Sequence, residues 1–341
     1  MTAPRIHPWN VALWRSLPPL AGMRPVMLLA GPAGIGKTSF AAALAHALLC
    51  PHSGADRLAC GSCPSCRLAS AGNHPDLRLL GCEDGAEEEE VVGAGVPAPR
   101  GKASRWIKVA SVRLLADFLA LSAHLGGRKV VVVEQAERLH PSAANAMLKT
   151  LEEPPPATHF LLVSGKPVRL PATVRSRCVT LAFTLPPVAE SVEWLRAQGS
   201  ARPEVALAQA GNAPLAALAL DRADYWKVRD AFIDLVLGRE DFDPVAAVDR
   251  LGQDSFPFMA QAMQRWVYDL LSIASRGPLR YNPDCAQILH RLAVRSSRPA
   301  LLRFLGHLNG VMRSIDHPLN ARLAAQHCLF AYRAALCGME A

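Results

Sequence analysis

Gly31, Gly34, Gly36, Lys37 and Thr38 fall in the run Gly31-Pro-Ala-Gly-Ile-Gly36-Lys37-Thr38. The run fits G-x-x-x-x-G-K-[ST]: backbone N–H groups cradle phosphates, the lysine reaches the β/γ-phosphates, and the threonine hydroxyl holds Mg²⁺. Further along, an apolar run ends in Val130-Val-Val-Val-Glu134-Gln135. Glu134 can help hold Mg²⁺. The amide of Gln135 cannot polarise an attacking water as a carboxylate does. The phosphate cradle is therefore complete, while the residues that would work a phosphate are not.

A second set is Cys50, Cys60, Cys63 and Cys66, spaced C-x9-C-x2-C-x2-C. Thiolates are soft ligands, and four of them close a tetrahedral zinc sphere, which implies a structural rather than a catalytic ion. Gly61 and Pro64 suit the tight turns. The remaining cysteines, Cys82, Cys178, Cys285, Cys328 and Cys337, are scattered and read as core or surface residues. A third candidate is Arg177 in Ser176-Arg177-Cys178. A guanidinium can stabilise charge on phosphoryl oxygens and can be supplied in trans to another subunit's site. On spacing alone, a surface arginine beside a buried cysteine is the competing reading.

The elements that must position these residues follow from apolar periodicity. Pro25–Ala30 is a buried strand, and Thr38–Leu49 a helix, so the glycine run has the strand–loop–helix context of a phosphate-binding loop. Strands are expected at Asp76–Leu80, Lys129–Glu134, His159–Val163 and Cys178–Phe183, and helices at Val109–Ala123 and Ser142–Glu153. Pro141 opens that last helix, and Pro154-Pro155-Pro156 stops it. Residues 82–104, with Glu87–Glu90, glycines and prolines, read as a solvated loop. Alternation of strands and helices argues for a parallel α/β sheet with ligands at the strand C-termini.

Beyond Pro186-Pro187 the strand signal stops. Short helices are expected near Ser191–Ala197, Glu204–Ala210 and Leu215–Asp221. Longer ones follow at Tyr225–Leu237, Pro257–Ser275, Cys285–Val294 and, in pieces, Ala300–Leu336. The expected division is an α/β domain over 1–184 with the cysteine module at 50–66, a helical lid over 185–222 and an all-helical domain over 223–341.

The chain has 341 residues, half of them hydrophobic and 19% charged, which fits a globular chain needing no disulfide staples. Its net charge of +8 and pI near 9.2 favour proximity to a polyanion. The start, Met1-Thr-Ala-Pro-Arg5, carries no signal-peptide pattern, and no apolar run reaches the length of a membrane span. The cytoplasm, with reduced thiols and no membrane contact, is the expected compartment.

Gly72-Asn-His74-Pro75-Asp76, Asn145-Ala-Met-Leu-Lys149-Thr150-Leu-Glu152-Glu153-Pro-Pro and Ser176-Arg177-Cys178 join the Pro8-Trp9 start, the P-loop and the four cysteines. With His317-Pro318-Leu-Asn320 near the end, this set resembles the delta-prime family of bacterial DNA polymerase III clamp-loader subunits, in the AAA+ superfamily. The resemblance covers nearly the whole chain. It implies a RecA-like parallel sheet with an inserted zinc module, a three-helix lid and a C-terminal collar joining gamma/tau and delta subunits. It also implies that Arg177 serves as an arginine finger for ATP in the adjacent gamma/tau subunit, in an assembly that loads the sliding clamp onto primed DNA.

Three positions depart from the hydrolysing gamma/tau pattern. Gln135 replaces a carboxylate, Gly165 stands at the sensor position usually held by Thr or Asn, and Pro214 takes the arginine's place in Gly211-Asn212-Ala213-Pro214. The resemblance therefore implies a subunit that does not hydrolyse ATP itself. Whether ATP or ADP with Mg²⁺ occupies its loop stays open. A gamma/tau-like ATPase is the alternative, and a zinc-containing nucleic-acid module is a third reading that rests on charge. Lys149 and Arg169 have two readings, the central chamber of the assembly or solvated surface, of which solvated surface is preferred.

Overall fold

The computed structural model describes residues 5–54, 56–82, 106–125, 127–221, 225–238, 243–251, 256–314 and 321–337. The acidic stretch at 83–90 and the 317–320 stretch lie outside them. Contacts gather the chain into two compact units, Met1–Leu185 and Pro186–Ala341.

The first unit is built on five strands: β1 (Val26–Ala30), β2 (Leu77–Leu80), β3 (Lys129–Val133), β4 (Thr158–Ser164) and β5 (Val179–Ala182). All pair in parallel, in the order β2-β3-β4-β1-β5. β1, β3 and β4 are buried along their whole length, which is why they read as unbroken apolar runs rather than alternating ones.

Side chains of successive strand residues leave on opposite faces. Val26, Leu28, Val131, Val133, Phe160 and Leu162 share one face with buried residues of α4 (Val109–Ala120) and α5 (Pro141–Glu152). Helix α2 (Lys37–Leu49) packs on β3 and β4 outside that cluster, and its Phe40 meets Trp14 and Phe183 edge-on at 5.1 and 5.0 Å. Three short helices complete the unit: α1 (Val11–Arg15), α3 (Pro64–Ala71) and α6 (Ala172–Arg175).

Helix α4 ends at Ala120, three residues short of the sequence expectation. Leu121 turns extended, and the buried ammonium of Lys129 takes the carbonyls of Phe118 and Leu121. A cation on the last carbonyls closes a helix at the negative end of its dipole.

In the second unit every described regular element is a helix. α7 (Val188–Ala197), α8 (Pro203–Gln209) and α9 (Pro214–Asp221) enclose a small core of Val192, Leu195, Ala206, Leu207 and Ala217. α10 (Tyr225–Gly238), α11 (Pro244–Leu251), α12 (Phe256–Ala274), α13 (Ala286–Arg295), α14 (Arg298–Ser314) and α15 (Ala321–Cys337) enclose a larger one around Met263, Trp266, Leu329 and Tyr332. Trp226 packs against both clusters.

The buried Asp269 carboxylate is held by N–H groups of Arg280, Tyr281 and Asn282 and by the Asn282 amide. The buried Arg229 is paired with Asp284 at 2.7 Å. Such pairs are costly to break because the surviving charge is left without a partner. No described helix is long and apolar enough to cross a membrane.

Candidate nucleotide loop, cysteine cluster and arginine site

The glycine loop leaves the C-terminal end of β1 and enters α2. Gly34 and Gly36 have φ of 77° and 87°, in the left-handed region that favours glycine. At Gly31 an added Cβ would lie 2.4 Å from the Phe183 carbonyl oxygen, and at Gly36 it would lie 2.4 Å from the His7 ring. Gly31 thus leaves no room for a side chain, and one at Gly36 would have to displace the His7 ring. The Ile35 carbonyl is held by the Trp9 indole N–H at 3.0 Å and the Asn10 amide at 2.9 Å. The Pro8-Trp9 start therefore braces the loop.

Lys37 is buried and donates to the Pro32 carbonyl within the same loop. Burial lowers its ammonium below the ordinary lysine range, and the nearby Glu137 carboxylate pushes back. Thr38 is exposed on the first turn of α2.

Glu134 follows the last residue of β3, and burial raises its carboxyl above the usual range. Gln135 is exposed and left-handed, at φ 50° and ψ 50°. Gly165 follows β4. Its N–H donates to both oxygens of Glu137, at 3.1 and 3.3 Å. A Cβ on Gly165 would stand 3.2 Å from Glu137 Oε1 and 3.6 Å from Ala33 Cβ. Parallel crossovers thus bring Glu137, Gly165 and the glycine loop together, although nothing in the spacing of Glu137 marked it. In the second unit, Gly211 and Asn212 close α8 through N–H bonds to Ala208 and Leu207. Pro214 is buried as the first residue of α9, so this stretch presents no cation.

Cys50, Cys60, Cys63 and Cys66 converge, with ligand atoms all within 4.8 Å of one another. Cys50 and Cys63 sulfurs are 4.0 Å apart, and those of Cys60 and Cys66 are 3.9 Å apart. Tetrahedral zinc at ~2.3 Å from each sulfur needs sulfurs about 3.8 Å apart. The donor set and its spacing fit a metal ion. N–H groups of Ser62 and Cys63 bring the Cys60 thiol down to about 6, while burial pushes Cys66 up to about 12. Cys63 also caps α3, accepting from Cys66 N–H.

The His74 motif ties this module to the sheet. Asp76 N–H donates to His74 Nδ1 at 3.0 Å, so Nε2 carries the ring proton and donates to Ser65 Oγ at 2.8 Å. Ser65 in turn donates to the Leu49 carbonyl at the end of α2. The Asp76 carboxylate accepts N–H groups of His124 and Leu125.

Arg177 lies just before β5. In the register of β1 and β5, Met27 faces Val179 and Ala30 faces Ala182. Arg177 and the chain's own glycine loop are therefore at opposite ends of the same strand pair. Its guanidinium donates to Glu152 Oε2 from Nη2 at 2.8 Å and from Nε at 3.3 Å, and to the Thr173 carbonyl at 2.9 Å. The Glu152 partnership was not evident from the sequence. Lys149 and Arg169 are exposed.

Residues 21–187 match the family model described as DNA polymerase III, delta subunit. A delta-prime subunit of DNA polymerase III from Yersinia pestis is 34% identical over 324 residues, 89% of this chain and 87% of that protein. The delta-prime subunit from Pseudomonas aeruginosa is 44% identical over 216 residues, 62% of this chain and 60% of that protein, so the match spans less than two thirds of it. A DNA polymerase III tau/gamma subunit from Haemophilus influenzae is 35% identical over 152 residues, 45% of this chain and 19% of that protein.

Proposed function

The chain belongs to the delta-prime family of DNA polymerase III, and from that premise we propose that it is a non-hydrolysing clamp-loader subunit that completes a neighbour's ATP site. Its partners are gamma/tau and delta subunits, and through them the sliding clamp and primed DNA. Arg177 is the finger. Set against the γ-phosphate held by an adjacent gamma/tau subunit, a fixed guanidinium stabilises the charge that develops on the transferring oxygens. The observation that carries this reading is the placement of Arg177. Parallel pairing sets it at the far end of β1 and β5 from its own loop, so any phosphate it serves belongs to another chain.

The chain's own pocket supports the other half of the reading. Gly31, Gly34, Gly36, Lys37, Thr38 and Glu134 retain the means to hold a nucleotide with Mg²⁺. Gln135 and Gly165 remove the groups that would activate water and sense the γ-phosphate, and in the second unit Pro214 stands where the gamma/tau pattern has an arginine. These losses count against a gamma/tau-like ATPase. Cys50, Cys60, Cys63 and Cys66 hold one structural zinc, which would cross-link the end of α2 to α3. Residues 186–221 act as the lid, residues 225–337 belong to the collar that joins the partner subunits, and the protein works in the cytoplasm.

The test is phosphate release. The purified chain with Mg-ATP and primed DNA should release none above background, while adding it to gamma/tau and delta subunits should restore DNA-stimulated turnover. Robust release by the lone chain would overturn the proposal.

A further inference from the structure

We propose that the glycine loop of this chain accepts a nucleoside diphosphate in preference to a triphosphate, and that Glu137 is the residue that makes the distinction. The inference rests on the reading of that loop as a nucleotide site and names which nucleotide it takes.

The cradle itself is built. Gly34 and Gly36 hold left-handed backbone, Gly31 leaves no room for a Cβ, and the Ile35 carbonyl is braced from outside by Trp9 and Asn10. The loop opens onto the N-terminus of a 13-residue helix, where anions are favoured. That geometry suits a pyrophosphate.

What lies beyond it does not suit a third phosphate. Gly165 gives up its backbone N–H to Glu137, so this donor is already taken. A Cβ on Gly165 would lie 3.2 Å from Glu137 Oε1 and 3.6 Å from Ala33 Cβ, so the carboxylate stands beside the loop. The same carboxylate acts on Lys37, the cation that reaches between β- and γ-phosphates. A γ-phosphate would therefore meet a lysine partly compensated by Glu137 and a second negative group held in place. A diphosphate adds less negative charge and stops short of that group. At separations of about 5–6 Å near a protein surface, one fixed like charge shifts affinity by roughly a hundredfold.

The experiment is equilibrium titration of the full chain with fluorescent ADP and ATP in the presence of Mg²⁺, for wild type, Glu137→Gln and Glu137→Ala. The glutamine keeps an oxygen for the Gly165 N–H, a bond the alanine variant loses. Circular dichroism checks both. The wild type should bind ADP at least about tenfold more tightly than ATP. Glu137→Gln should narrow the ratio to within about threefold, chiefly by tightening ATP. ATP bound as tightly as ADP by the wild type, or a ratio unmoved by Glu137→Gln, overturns the role of Glu137 while leaving the loop a nucleotide site. Absence of binding by wild type and Glu137→Gln alike overturns the nucleotide reading itself, and the inference with it.

Discussion

Replacing Arg177 with alanine separates catalysis from stability, because the structure sets a low ceiling on the second. In the free chain the guanidinium makes an ion pair with Glu152, whose side chain is 61% exposed, and one bond to a backbone carbonyl. An exposed pair contributes about 0.2–1 kcal/mol and a single hydrogen bond about 1 kcal/mol. Their loss costs roughly 1–2 kcal/mol, or a few degrees in melting temperature for a unit of this size. The expected catalytic loss is far larger. A finger supplied in trans contributes a factor of 10³–10⁵ in turnover, which is about 4–7 kcal/mol of barrier.

The assay is DNA-stimulated phosphate release by the reconstituted complex, with subunit occupancy checked by gel filtration. Arg177→Ala should assemble normally and abolish the turnover of the site facing this chain. Arg177→Lys keeps the charge but loses the planar fork, and should recover only part of it. To reach a neighbour, the guanidinium must leave Glu152, so Glu152→Ala should leave turnover undiminished. Unchanged turnover with Arg177→Ala in a fully assembled complex would refute the trans assignment. A fall with Glu152→Ala as deep as that with Arg177→Ala would show that Glu152 aims the finger rather than storing it.

Two other outcomes follow from the first unit. Anaerobically purified chain should carry one zinc, measured by elemental analysis. Chelation or Cys63→Ser should lower the melting temperature of the first unit by roughly 10 °C or more, as several kcal/mol of site energy are lost; a metal-free chain of equal stability would contradict this. Acid should destabilise the chain through His74 and Asp76. Burial lowers the His74 value, and at Asp76 the burial penalty is outweighed by N–H bonds from His124 and Leu125. Both groups bind protons more readily when unfolded, so their stabilisation is complete above about pH 6.5 and declines as pH falls, His74 first and Asp76 below about pH 4. Urea midpoints between pH 7.5 and 5.5 should drop, and His74→Gln should flatten the slope. A midpoint rising on acidification would refute the assignment of neutral His74.

What the sequence revealed and what it concealed divide along contact distance. The glycine loop and the cysteine spacing are local devices, and both stand where their residues indicated. The inner strands β1, β3 and β4 were legible because burial on both faces leaves uninterrupted apolar runs. Helix α3 was hidden inside the ligand spacing, although Cys63 as cap and Pro64 as first residue mark its start. Helix α11, Pro244–Leu251, was not among the expected helices. The bond from Gly165 to Glu137 spans 28 positions, and that from Arg177 to Glu152 spans 25. Each joins elements whose adjacency depends on strand order, which periodicity does not encode.

The pocket proposed to be inert and the proposed finger are linked by one helix. Helix α5 begins just beyond the Glu137 turn and ends at Glu152, which holds Arg177. At 1.5 Å per residue its 12 residues span about 18 Å. Ala143, Ala144, Met147 and Leu151 are buried along it in the same core as β1, β3 and β4. A helix anchored over its whole length cannot slide without breaking that packing, so the two sites keep a fixed separation. In a subunit that opened and closed on its own ATP, this rigidity would carry each cycle's motion to the finger. A pocket that does not turn over removes that source of motion. On that reading, the absence of a carboxylate at Gln135 keeps Glu152, the resting partner of Arg177, in a fixed place, so the guanidinium always departs for the neighbouring site from the same position.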